Sequence, residues 1–182
     1  LIGAAYAEVE TKEPWCDHVT SVADIGLLSS AAVAPGGARD RESDTGAARL
    51  LLEGHFLFDV LDADMDFARY KVLVLPDDVT IAGALKTKLD AYLARGGKLF
   101  LSGKSGLDAA GKPLYDLGAT LAGESPYEPD FLLPEPALRP AFCASPMVMY
   151  RRAQRLTVTD GESLGDIYDP YFNRDFRHFC SH

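Results

Sequence analysis

This chain of 182 residues is short of several features, and each shortage removes a class of function. No run of about eighteen apolar residues occurs, the length needed to cross a bilayer, so no membrane-spanning helix and no membrane partner are expected. No basic stretch leads into an apolar one, so no secretory signal is visible in these residues. Basic side chains are in deficit: 18 Lys and Arg stand against 27 Asp and Glu, a net charge of −9. Phosphate backbones are bound by clustered Lys and Arg, so no nucleic-acid partner is expected either. The acidic surplus serves solubility. Cysteine is scarce, with Cys16, Cys143 and Cys180 far apart in sequence. That is too little for a disulfide framework. The odd count fits a reducing compartment with buried free thiols, and so points to the cytoplasm. No G-x-G-x-x-G follows an apolar strand and no G-x-x-x-x-G-K-[ST] occurs, so no nucleotide cofactor is implied.

What remains is an ordinary globular composition, 47% apolar and 25% charged, long enough for one domain with a proper core. Leu1 to Lys12 has apolar residues at helical spacing, and Glu13-Pro14-Trp15 ends the run, because proline cannot continue a helix. Residues 1–21 are therefore expected to be a linker helix reaching from an upstream domain, and residues 22–182 one domain cut short at its C-terminal end. Val22 to Leu28 reads as a buried strand. Ser29 to Asp44 reads as a long polar loop. Asp44 is placed to cap a helix carrying Ala47, Ala48, Leu51 and Leu52, closed by Gly54. Phe56 to Leu61 is a second strand, and Lys71 to Leu75, ended by Pro76, a third.

Thr80 stands where a cap is expected for a helix with Ile81, Leu85, Leu89, Tyr92 and Leu93 on one stripe. Gly96-Gly97 stops it. Lys98 to Ser102 is a fourth strand, followed by the turn Gly103-Lys104-Ser105-Gly106. Four apolar strands alternating with helices predict a parallel sheet with right-handed crossovers, covered on both faces. The fold class is α/β, an open sandwich of the flavodoxin or class I glutamine amidotransferase type. Beyond Gly106 six prolines break up residues 126–146. Short strands at Met147 to Arg151, Leu156 to Thr159 and Leu164 to Tyr168, with a tight turn at Asp160-Gly161, predict an irregular β extension on the sheet edge.

Ligands of open parallel sheets sit beyond the carboxyl ends of the strands. Ser29, Ser30, Asp62, Asp77, Asp78, Lys104 and Ser105 occupy those ends. Phosphotransfer through Asp77 or Asp78 with Lys104 would need an acidic pair after the first strand, where Ser29-Ser30 stands. Asp78 is better explained as a charge near a helix start. Amidotransferase-like domains place a cysteine nucleophile in the turn after the fourth strand. Here the turn offers only Ser105, with no G-x-S-x-G elbow and no identifiable base. An independent hydrolase or amidotransferase using Ser105 is thus the lesser alternative.

The densest chemistry lies in the last thirteen residues, Pro170 to His182, with four aromatics, two arginines and two histidines. Disordered tails are poor in aromatics, so this end is expected to be buried or to hold something. His178, Cys180 and His182 alternate, as metal ligands on a strand would, but lack a further ligand, and no metal is expected. Tyr171, Asn173, Arg174 and His178 supply the ring faces and hydrogen-bonding groups that carbohydrates use. They are the candidate substrate-binding residues, against a competing explanation in which Phe172, Phe176 and Phe179 fill a packed seam. A free-standing sugar-binding module is a further alternative.

Together, DTGAARLLLEGHFLFDVL and DFARYKVLVLPDDVTIAGALKTKLDAYLARGGKLFLSGKSG resemble the trimerisation domain of beta-galactosidase-type glycoside hydrolases. The shared elements are Tyr-Lys before an apolar strand ending in Pro, a helix reading L-x-x-Y-hydrophobic-x-x-Gly-Gly, and a strand ending in Ser-Gly. KEPW near the start and PYFNRDFRHFCSH at the end resemble bacterial glycosyl hydrolases related to beta-galactosidases and alpha-L-fucosidases. The resemblance implies a non-catalytic, amidotransferase-like domain that follows a TIM-barrel catalytic domain and helps assemble homo-oligomers. It further implies a carbohydrate substrate for the parent enzyme and a contribution to the rim of a neighbouring active site. No catalytic residue carries over, because the carboxylates of the barrel have no counterpart here.

Overall fold

The computed structural model describes residues 2–34 and 41–171. Its centre is a four-stranded parallel sheet of β1 (Ile25–Leu28), β2 (Phe58–Leu61), β3 (Val72–Leu75) and β4 (Lys98–Leu101), in the order β2-β1-β3-β4. Side chains alternate across the sheet with the period of two that pleating imposes. Leu28, Leu61, Leu73 and Leu75 point to one side, where α4 (Gly83–Ala94) packs with Leu85, Leu89 and Tyr92. Leu27 and Val74 point to the other, against Leu51 of α3 (Glu42–Glu53). The sheet is thus flanked by helices on both faces, as the apolar strands predict. Cover is complete only at the centre, however. Val60 on β2 and Phe100 on β4 are exposed, because one helix per face spans two strands rather than four.

The motif Leu89-x-x-Tyr92 before Gly96-Gly97 has a packing reason. Gly96 leaves α4 at φ +88, a conformation costly for any other residue. A Cβ on Gly97 would fall 2.3 Å from the Tyr92 ring. The ring therefore lies over bare backbone, and its hydroxyl reaches the Tyr70 carbonyl at 3.3 Å while accepting the Lys98 amide at 3.2 Å.

Several expectations are corrected. The long loop contains a short helix, α2 (Ser30–Val33), capped by Ser29, whose Oγ accepts the Ala32 amide at 3.1 Å. Asp44 does not cap α3, which begins two residues earlier with Arg41 as a cap that contributes no side chain. Thr80 does not cap α4. The cap position falls on extended Ala82, and it too contributes no side-chain bond. Burying Val79 and Ile81 beneath α4 is worth more than the roughly 1 kcal/mol of a threonine cap.

The C-terminal part is more regular than its prolines suggest. β5 (Ala119–Glu124) pairs antiparallel with β8 (Gln154–Val158), and β6 (Asp130–Pro134) sits between β7 (Met147–Met149) and β9 (Gly165–Tyr168). Asp160-Gly161 is not a hairpin turn, since β8 and β9 belong to different sheets. Instead Gly161 crosses Gly118 closely and donates its amide to the Gly118 carbonyl at 2.9 Å.

α1 (Ile2–Glu10) buries none of its residues against the rest of the chain. Cys16 is exposed and Cys143 half-buried, against the expectation of buried thiols; both are free. Cys16 follows a proline turn that touches no core, so nothing covers it. Among the described residues no helix is long and apolar enough to cross a membrane.

Candidate functional site

The carboxyl ends of β1, β3 and β4 converge where the strand order reverses, the usual ligand position in such sheets. In this chain that corner is occupied by its own hydrogen bonds. Ser105 is 5% exposed. Its hydroxyl donates to the Pro76 carbonyl and accepts the Val79 amide at 3.0 Å. Among the described residues those are its hydrogen bonds, and no base is among its partners. The serine ties the end of β4 to the loop after β3.

The turn that delivers Ser105 needs glycine at 103. Gly103 has φ +55, and a Cβ there would fall 2.6 Å from that of Asp77. Asp77 in turn accepts the Ser102 hydroxyl at 2.6 Å. Asp78 is not at the start of α4, which begins five residues later; it accepts the Ser43 hydroxyl at 3.1 Å, in the first turn of α3. Lys104 pairs with Glu124 at 3.4 Å. Asp77, Asp78 and Lys104 therefore point to three different partners and assemble no phosphotransfer site. Asp62, at the end of β2, accepts the amides of Asp64 and Met65, both at 2.9 Å, as a local turn.

Asp44 crosses the reversal point. Its carboxylate accepts the Ser29 hydroxyl at 2.7 Å and the Ser30 and Ala31 amides at 2.8 and 3.2 Å. Burial is the largest single influence on this group and raises its pKa. The hydrogen bonds from the Ser30 and Ser29 hydroxyls and from the two amides together outweigh it, and hold the carboxyl below its ordinary 3.8. A carboxyl depressed on folding adds stability that is fully present above its unfolded pKa and is lost as pH falls through the lowered folded value. Urea unfolding of the protein from pH 6 downward should therefore show a stability loss below about pH 4 that Asp44→Asn reduces. Equal acid sensitivity in the two proteins would count against this role.

Sequence inspection gave no sign of a second polar centre, in the C-terminal part. Asp130 is fully buried, accepting the Ser125 hydroxyl at 2.9 Å and the Ala153 amide at 2.8 Å. Arg155 donates to Ser125 at 3.4 Å and to Asp169, the last charged residue before the aromatic tail. These bonds link β6, β8 and the end of β9. No spacing rule pairs residues 125, 130, 155 and 169, so only the folded chain reveals them.

Of the sugar-binding candidates, Tyr171 is described and almost fully exposed. Asn173, Arg174 and His178 lie outside the described residues, as does the alternating His178, Cys180 and His182. Among the described residues no group of three His, Cys, Asp or Glu could hold a metal ion.

The fold and this corner define a class: an open parallel α/β domain whose reactive end is closed by structural hydrogen bonds. The comparisons give what the chain is similar to. Residues 49–118 match the model of the beta-galactosidase trimerisation domain. Alpha-L-fucosidase isoenzyme 2 from Paenibacillus thiaminolyticus is 42% identical over 100% of this chain, with a TM-score of 0.85. The chain spans 28% of that protein's length. Beta-galactosidases from Rahnella sp. R3 and Bacillus circulans share the fold at 13% and 11% identity, with TM-scores of 0.59 and 0.58. They cover 84% and 86% of this chain, which spans 26% of each. No curated protein sequence matches the chain.

Proposed function

We propose that this chain is the non-catalytic accessory and oligomerisation domain of a glycoside hydrolase of the beta-galactosidase or alpha-L-fucosidase type. The observation that carries the reading is the closed corner at Ser105, where a nucleophile would have to stand. Its hydroxyl spends its proton on the Pro76 carbonyl and a lone pair on the Val79 amide, which leaves it unactivated. Kinship with the fucosidase over the whole chain supports the same conclusion. Catalysis then belongs to a separate domain, for which a TIM barrel upstream of residues 1–21 is the proposed partner. The uncovered helix α1 fits a segment that rests on such a neighbour. Two free thiols fit a reducing compartment such as the cytoplasm.

The test pairs activity with stability. The domain alone should turn over neither aryl galactosides nor aryl fucosides. In the full-length enzyme, Ser105→Ala should cost about 1–3 kcal/mol of stability, the penalty of stranding buried hydrogen-bonding partners. Its kcat/KM should stay within about twofold, since a change that small is under 0.5 kcal/mol of barrier. Turnover by the isolated domain that Ser105→Ala abolishes would overturn the proposal and favour the serine hydrolase.

A contribution of Tyr171, Asn173, Arg174 and His178 to a neighbouring active-site rim belongs to the same proposal. It is supported by their residue types and by the position of the tail directly after β9.

A further inference from the structure

We infer that the β2 edge of the sheet is a docking face for a second copy of this chain, an assignment that rests on the oligomerisation reading. β2 is the end strand of the order β2-β1-β3-β4, and its outer side pairs with no strand among the described residues. Proteins usually blunt such an edge with lysine, proline or a bulge, because open backbone groups recruit other strands. Phe56-Leu57-Phe58-Asp59-Val60-Leu61 contains neither lysine nor proline, and its register with β1 runs without a bulge. The opposite edge differs, since β4 opens with exposed Lys98.

The side chains along the edge are apolar and uncovered. Phe56, Leu57 and Val60 are 55%, 64% and 57% exposed. Val60 ends the row that continues through Leu27 and Val74 beside α3. The helix covers the middle of that row and leaves its β2 end open. The Phe56 ring lies over Gly54 at the end of α3, 2.8 Å from where a Cβ would stand, so the apolar surface continues from the strand to the helix terminus.

Copies of a chain with net charge −9 repel one another, so a contact between them is least opposed where the acids are already paired. The acidic residues of segment 52–61 are Glu53 and Asp59. Glu53 pairs with Arg49 at 3.2 Å. Asp59 pairs with Arg69 at 3.2 Å and accepts the hydroxyls of Tyr70 and Ser21, each at 2.9 Å. The edge thus presents apolar groups with its own acids already neutralised. It also lies inside residues 49–118, the part that matches a family described by its trimerisation. A closed three-fold assembly uses heterologous contacts, so the β2 edge of one copy meets a different surface of the next.

The experiment measures the subunit mass of the protein at its full encoded length, by light scattering over a concentration series. Leu57→Lys with Val60→Lys should raise the subunit dissociation constant about a hundredfold or more, as charging the centre of an apolar contact does. Leu57→Gln with Val60→Thr should raise it about tenfold, and decides the matter should the double lysine variant not fold. An oligomer whose mass neither pair changes would overturn the assignment while leaving the oligomerisation reading standing. Lower thermal stability at unchanged mass would overturn it as well, by showing that the edge is covered within one polypeptide. A wild-type protein that is monomeric at every concentration would defeat the oligomerisation reading itself.

Discussion

Phe67→Ala is expected to cost about 3–5 kcal/mol, the range for removing a buried aromatic ring. For a chain of this size that lowers the melting temperature by roughly 6–20 °C. Phe67 is 1% exposed in the core beneath α4. It belongs to no strand or helix, yet it fastens the acidic segment between β2 and β3. The Lys88 ammonium lies 4.1 Å from its ring centre and donates to the Ala63 carbonyl at 2.6 Å and to the Met65 carbonyl. Removing the ring opens a cavity and exposes the lysine's anchorage to water. Phe67→Leu, which keeps most of the apolar volume, should cost about 1–1.5 kcal/mol. Denaturant titration distinguishes the two. A Phe67→Ala loss below about 1 kcal/mol would mean that this segment is not part of the cooperative core.

The second large effect concerns activity. In the full-length enzyme, Arg174→Ala and His178→Ala should each lower kcat/KM about tenfold to a hundredfold, the worth of one hydrogen bond involving a charged group. The melting temperature should move little, because the proposed partners of these side chains are substrate hydroxyls. Arg174→Lys should recover part of the loss, since the charge remains while the planar fork does not. Unchanged kinetics together with unchanged subunit mass would refute the rim contribution. Lost stability with unchanged kinetics would instead favour the packed seam.

How much was legible before folding depended on whether a signal was local. Val72–Leu75 and Ile25–Leu28 are apolar in every position except Gly26, and they are the two central strands. A parallel strand covered on both faces must look like this, so the sheet could be read directly. The helix stop at Gly96-Gly97 was legible for a similar reason, because left-handed backbone at φ +88 calls for glycine. Caps were not legible. Asp44 and Thr80 have the right chemistry at plausible spacing, but the carboxylate of Asp44 is taken by Ser29, Ser30 and Ala31. Strand β6 hid among prolines, and β5 just before them contains Gly123 and shows little alternation of apolar with polar residues, since a strand of five or six residues in small antiparallel sheets needs only a brief pattern.

The sequence by itself determined the apolar layers, the parallel α/β class, the lack of a cysteine in the turn after β4 and the resemblance to a trimerisation domain. Each of these follows from residue type at short range, where pleating, helix period and glycine geometry act. Only the tertiary structure decided what closes the corner, where Asp44 and Asp78 spend their charge, and which sheet edge is left bare. Those outcomes depend on side chains dozens of residues apart, such as Ser43 with Asp78 and Ser21 with Asp59. Such pairs compete for one another only once hydrophobic burial has brought the strands together.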